Sequence, residues 1–284
     1  MSGKKIPDIE SFGKNTIVIS ALRRREMPLE ELKAFLNEST GGFKIGLSHF
    51  FGEIDVPENF EWPYFEDKDT HEKYPLECIA QLDMAEVSQY DKSGLLPKTG
   101  YMYFFMDMGY YGGYEACDYG YGRVFYYDVD KSELKRVKDE YSEYPLERRM
   151  FHLHIFNITS ATRYLTFSSV TDYPTEPQFV DHSIMQFSEA NHIWDYLPFI
   201  GENNNYLSYD EHSWGSVAKM LGYEELLQYS EFDTCEKIYQ ELYGESGREW
   251  LVLLQYGAYL FYIKKEDLLN KRFDRVWVMS VPID

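Results

Sequence analysis

Apolar and polar positions along the chain alternate in short blocks, and most blocks read as strand. Thr16–Leu22 (TIVISAL) is a β-type run that ends at Arg23-Arg24-Arg25. Leu29–Asn37 follows a proline and places residues 29, 32, 35 and 36 on one helical face, so a helix is predicted, closed by Gly41-Gly42. Phe43–Phe51 is partly extended. Leu76–Asp83 is a strand, Met84–Tyr90 one or two helical turns, and Tyr101–Met106 (YMYFFM) a strand apolar on both faces. A Tyr/Gly loop, 109–122, then leads to a returning strand, Arg123–Asp128. Met150–Asn157, Thr162–Ser169 and Gln178–Phe187 read as further extended segments. Ser188–Tyr196, Ser216–Leu221 and Thr234–Tyr243 read as helical. Trp250–Gln255 and Ala258–Ile263 form a tight hairpin around Tyr256-Gly257, before a short helix, Glu266–Asn270, and a last strand, Arg275–Val281.

One pattern occurs twice. Leu76–Leu82 followed by Tyr101–Phe105 is echoed by Trp250–Gln255 followed by Tyr259–Ile263, and Gln81 and Gln255 hold the same place in the echo. The expected fold class is therefore α+β, mostly antiparallel sheets with a few short helices and an internal pseudo-twofold duplication. The expected organisation is one domain over 1–284: an N-terminal strand and helix in 1–42, then two related β-rich halves, about 43–170 and 171–284.

Composition narrows the function classes. Apolar residues make up 44% of the 284 and aromatic residues 18%, enough for a packed core with ring-covered sheets. Net charge is −20, with the acid concentrated in residues 50–130 and 172–250. Phosphate backbones and anionic membrane surfaces need clustered Lys and Arg, so neither nucleic acid nor membrane is an expected partner. A basic protein is the expected kind of partner. No apolar run approaches a membrane span, the N-terminus shows no signal-peptide pattern, and the three cysteines (Cys78, Cys117, Cys235) form no CxxC; the chain reads as soluble and cytoplasmic.

Catalytic motifs are weak. There is no GxSxG, no P-loop and no GxGxxG, and the reading leans away from an enzyme. His152-x-His154 has metal-like spacing but no visible third ligand, and Asp67-x-Asp69-x-His71-Glu72 lacks the glycine of a calcium loop; no metal or cofactor is expected. Glu53, Asp55, Glu58 and Glu61 are expected to face water. Cys78 reads as a small buried hydrophobe and Trp62 as a plug against the sheet. Gln81 and Gln255 each close an apolar strand, where an unpaired amide is costly. They tie down neighbouring backbone or, with Asp83, line a ligand cleft between the halves. Tyr110, Tyr111, Tyr114, Tyr119 and Tyr121 in the Tyr/Gly loop are the candidates for partner contact, because tyrosine supplies large contact area at low entropic cost.

Five segments occur in a recognisable order: SHFFGEIDVPENFEWP (Ser48–Pro63), Pro75–Asp83, Leu95–Phe105, MLGYEELLQ (Met220–Gln228) and Trp250–Leu268. Together they resemble the YwqG-like family, a bacterial family catalogued largely as domains of unknown function. The resemblance implies an α+β fold rich in antiparallel strands and no particular reaction. Some relatives resemble components of toxin–immunity neighbourhoods, which makes an immunity-type protein for a basic toxin one expectation. The alternative is a small-ligand binder or enzyme with a polar cleft. The chain departs from the family pattern at Phe51-Gly52-Glu53, where a glycine pair is expected. It departs again at Tyr256-Gly257, where the usual connector is longer.

Overall fold

Strands that are apolar on both faces must be covered twice, and this requirement shapes the whole molecule. A computed structural model describes residues 13–21, 43–66, 71–107, 122–138, 140, 162–172, 216–223, 232–244, 250–257 and 259–280. Its strands are β1 (Lys14–Ala21), β2 (His49–Phe50), β3 (Ile54–Val56), β4 (Tyr64–Glu66), β5 (Lys73–Pro75), β6 (Glu77–Asp83), β7 (Tyr101–Met106), β8 (Gly122–Tyr127), β9 (Lys135–Val137), β10 (Arg163–Asp172), β11 (Ser216–Leu221), β12 (Trp250–Tyr256), β13 (Tyr259–Lys264) and β14 (Trp277–Ser280). The helices are α1 (Met84–Val87), α2 (Phe232–Tyr243) and α3 (Lys265–Leu269).

Ten strands form one antiparallel sheet in the order β14-β13-β12-β11-β1-β10-β2-β6-β7-β8, and β3-β9 and β4-β5 are separate two-stranded ribbons. The sheet curls until its end strands meet. A methyl group on Gly122 of β8 would lie 2.2 Å from the Val278 side chain of β14. At the far end of β8 the Tyr126 ring sits 5.5 Å from Phe273. The result is a nearly closed barrel, which leaves little free edge for another chain to pair with.

The protein is thus mostly β, and the expected α+β class is corrected. Two of the three described helices are single turns of four and five residues, and α2 lies outside the barrel. Ser216–Leu221, read as helical, is the strand β11. Its backbone bridges β1 and β12, so the ladder overrides the helix preference of Ala, Lys, Met and Leu.

The strand order reads alike from either end. One arm is β10-β2-β6-β7-β8 and the other β1-β11-β12-β13-β14. β1, from the N-terminal part of the chain, lies beside β11, and β10 lies beside β2. Local geometry follows the same scheme. The β6–β7 register shifts between Cys78 and Ala80, and the β12–β13 register between Val252 and Leu254, each just before its glutamine. Phe51 and Leu221 both have positive φ, 54° and 61°, and are followed by Gly52 and Gly222 at 81° and 74°. Phe104 and Phe261, at corresponding positions one residue past the partners of Gln81 and Gln255, meet at 5.2 Å across the core.

The outer faces are covered differently. On the first arm, residues 51–66 cross the sheet as a strap, with the Phe60 ring 5.9 Å from Phe105 and 6.1 Å from Tyr103. Trp62 stands edge-on to Phe105 and donates its Nε1–H to the Leu76 carbonyl at 2.9 Å, the plug expected of it. On the second arm α2 covers a separate cluster of Tyr239, Trp250, Val252, Leu260, Tyr262 and Trp277. Among the described residues no helix is long and apolar enough to cross a membrane. The expected helix at 29–37, the strand holding His152 and His154, and the segments 178–187 and 188–196 lie outside the described residues.

The paired glycines generate a test. A Cβ on Gly222 would fall 1.7 Å from Thr16 Oγ1, and one on Gly52 would fall 2.1 Å from Thr162 Oγ1, both at positive φ. Gly222→Ala and Gly52→Ala are each expected to cost about 2 kcal/mol or more. Denaturant midpoints would check this, and adding Thr16→Ala to Gly222→Ala should return part of the loss.

Candidate functional site

The densest set of polar contacts among the described residues surrounds Asp55, under the strap of the first arm. Asp55 lies between Ile54 and Val56 in β3, and all three are buried. This corrects the expectation that Asp55 faces water; Glu53, Glu58 and Glu61 do face it. A buried carboxylate needs a cation and donors. The partner is Arg136, directly opposite in β9, whose Nε reaches Oδ1 at 2.9 Å and whose Nη2 reaches Oδ2 at 3.1 Å. Gly46 N–H donates to Oδ2 at 2.7 Å. The same guanidinium also donates to the carbonyls of Phe43 and Lys44, so one side chain ties residues 43–44 to the strap.

Gln81 joins this knot. Its Oε1 accepts the Asp55 N–H at 2.6 Å, and its Nε2 donates to the Leu47 carbonyl at 3.0 Å. Tyr103, beside it on β7, donates its hydroxyl to the Asp55 carbonyl at 2.6 Å. Burial pushes the Tyr103 hydroxyl far above the usual phenol range, so it stays a donor. Asp83 lies two residues along the same face of β6. Its carboxylate caps α1 by accepting the Ala85 N–H at 2.9 Å, and its own N–H donates to Ser48 Oγ. Ser48 in turn donates to Glu86 at 2.8 Å. Burial raises the carboxyls of both Asp83 and Glu86 above their ordinary range.

Gln81 and Asp83 are therefore neighbours, while Gln255 lies apart, separated by β11, β1, β10 and β2. Gln255 is buried on β12 opposite Lys219, and its Nε2 donates to the Gly257 carbonyl at 3.4 Å. Tyr110, Tyr111, Tyr114, Tyr119 and Tyr121 lie outside the described residues, and so do His152 and His154. Cys78 is buried in β6, its thiol 3.6 Å from the Ala80 carbonyl, consistent with a packing role.

Other buried carboxylates escaped the sequence reading, Asp172 and Asp267 among them. Asp172, at the end of β10, accepts from Thr16 Oγ1 at 3.2 Å, Lys219 Nζ at 3.4 Å and the Tyr223 N–H at 3.2 Å. Asp267, in α3, takes the Tyr239 hydroxyl of α2 and lies 2.5 Å from Arg272 Nε and 3.4 Å from Arg275. Lys264 Nζ lies 4.2 Å from the centre of the Tyr239 ring. In an acidic chain, spacing could not single these groups out. An Asp flanked by Ile and Val, as Asp55 is, was the one available signal.

His49 occupies the position opposite Gln81 that Lys219 occupies opposite Gln255. Its Nδ1–H donates to the Phe51 carbonyl at 2.9 Å, at the left-handed turn into the strap. Burial lowers its pKa to about 4, with Asp55 pulling upward and Arg136 downward, and the Tyr164 ring stands edge-on.

What this arrangement does chemically is hold the strap. A family model described as Domain of unknown function (DUF1963) matches residues 48–280, which takes in every strand of the sheet except β1. Comparison with curated proteins found no match.

Arg136→Leu leaves Asp55 charged and buried without its cation, and a loss of about 3 kcal/mol or more is expected, read from urea midpoints. For His49, the folded pKa lies below the unfolded value of 6.5. Its contribution is fully present above pH 6.5 and is lost as pH falls toward 4. The loss expected from this one group is about 2 kcal/mol by pH 5. Asp83 and Glu86 act in the opposite sense, because their raised values favour the protonated fold. His49→Gln should therefore flatten the acid limb of the stability curve; an unchanged slope would refute the assignment.

Proposed function

We propose that this chain, which belongs to the DUF1963 family of domains of unknown function, is a non-enzymatic protein-binding module of the bacterial cytoplasm whose acidic surface meets a basic partner. The specific form of the reading, in line with its resemblance to the YwqG-like family, is an immunity-type protein that holds a basic toxin. The observation that carries it is charge. Acidic residues number 48 against 28 basic ones, and the strap exposes Glu53, Glu58, Glu61 and Glu66, the last paired with Lys73, with Glu72 exposed just before β5.

The strap is a firm carrier for that charge, because Asp55, Arg136 and Gln81 fasten it from beneath. Gln81 spends both ends of its amide on backbone, which favours a structural role for it over contact with a small ligand. Tyr110, Tyr111, Tyr114, Tyr119 and Tyr121 complete the proposal as aromatic anchors. They lie in the segment that leaves β7 at Asp107 and returns at Gly122, and tyrosine is typical of binding hot spots.

Such a complex forms quickly and weakens with salt, since surface charges are screened over about 10 Å at 0.1 M ionic strength. Titration against a panel of strongly basic proteins should reveal at least one partner whose affinity falls roughly tenfold or more as ionic strength passes that value. Glu53→Gln/Glu58→Gln/Glu61→Gln should slow association several-fold with little change in Tm. Binding that ignores salt, or no association with any basic protein, would overturn the reading.

A further inference from the structure

β2 is the narrowest part of the sheet. It holds two residues, His49 and Phe50, and pairs over two registers with β10 on one side and two with β6 on the other. By comparison β10 pairs with β1 over eight, and β6 with β7 over six. Among the described residues, β6, β7 and β8 join the ladder of the other strands only through β2. Two backbone bonds flank it: the Phe51 N–H donates to the Ile79 carbonyl at 3.2 Å, and the Leu165 N–H to the Ser48 carbonyl at 3.1 Å. The chain leaves β2 through Phe51 and Gly52, both at positive φ, and His49 holds the carbonyl of the first. His49 is 2% exposed, so this thin connection buries a side chain that ordinarily ionises near neutral pH.

The equivalent place on the second arm, where Lys219 faces Gln255, is built otherwise. There β11 runs over six residues, pairs with β1 over five, and sets Lys219 beside Asp172 at 3.4 Å. The charged and titratable groups around His49 are Asp55 on β3, Arg136 on β9, Tyr164 on β10, and, through Ser48, Asp83 on β6 and Glu86 on α1. Asp55 draws a proton towards the ring, but Arg136 repels it and already holds both Asp55 oxygens. A charged imidazole here loses its water without gaining a carboxylate of its own.

From this placement we infer that β2 is a pH-sensitive seam: when His49 takes up a proton, the connection from β10 through β2 to β6 opens while the other ladders of the barrel stay closed. Opening lets water reach the charged ring. It also lifts Phe50 and Phe51 from the Tyr256 ring, which they meet at 5.0 and 5.6 Å, and frees the root of the strap. Burial holds the closed imidazole at a pKa of about 4 against 6.5 in water, so opening gains as pH falls from 6.5 towards 4. Asp83 and Glu86, whose carboxyls burial raises, oppose it by favouring the closed form when protonated. His49→Asn puts an amide nitrogen in the place of Nδ1 and leaves no ionisable ring, so comparison with it isolates the histidine.

Amide exchange of the full-length chain, corrected for the intrinsic effect of pH, tests the seam. From pH 7 to pH 5 the protection of the Phe51 and Leu165 amides should fall about 20-fold relative to His49→Asn, while the amides paired between β12 and β13 keep theirs. Equal losses at the seam and in that hairpin would mean global unfolding and would overturn the inference, as would equal losses in the two proteins. The unsubstituted chain by itself gives a second measurement: seam amides that lose protection ahead of the hairpin as pH falls support it, and seam amides as protected at pH 5 as at pH 7 refute it.

Discussion

The ladder between β1 and β10 is the contact on which the molecule depends. These two strands lie at the middle of the ten-stranded order, and each arm of five strands begins from one of them. Without that pairing the two arms would share core packing, such as Phe104 against Phe261 and Phe50 against Tyr256, and surface contacts such as Lys271 to Asp128. With it, one twisted sheet curls far enough for Gly122 to meet Val278, and the apolar inner faces close on themselves.

Closure solves the inner face and leaves the outer face to be covered, and the arms solve that in different chemistry. The first lays a strap of chain across its strands and staples it with a buried carboxylate, Asp55, and a bidentate arginine. The second docks a helix through Tyr239, whose hydroxyl meets Asp267 and whose ring lies beneath Lys264. At the position facing Gln81 one arm buries a neutral histidine, and at the position facing Gln255 the other buries a lysine beside Asp172. Equivalent backbone geometry has been filled with unlike side chains, and charge burial has been balanced locally each time.

Much of this was legible in the sequence. β6, β7, β12 and β13 were readable because apolar runs bounded by turns fit a buried strand, and the shared place of Gln81 and Gln255 was visible as an echo. The tying of backbone by Gln81 follows from the cost of a bare buried amide. Other features were hidden for physical reasons. Ser216–Leu221 holds good helix formers, and only its neighbours β1 and β12 make it a strand. Asp55 sits among exposed glutamates, and what distinguishes it is an arginine 81 residues away. Barrel closure depends on register and twist summed over ten strands, which no local window contains.

The remote pairing of β1 also has a consequence in time. A ribosome releases roughly 5–20 residues per second, and β11 ends at Leu221, two hundred residues after β1 is complete at Ala21. The strand with Ile17, Val18 and Ile19 therefore waits about 10–40 s before both its neighbours exist. During synthesis this chain carries an apolar strand with no native partner until β10 is made, and the first arm is complete at Asp172 while the second still consists of β1 alone.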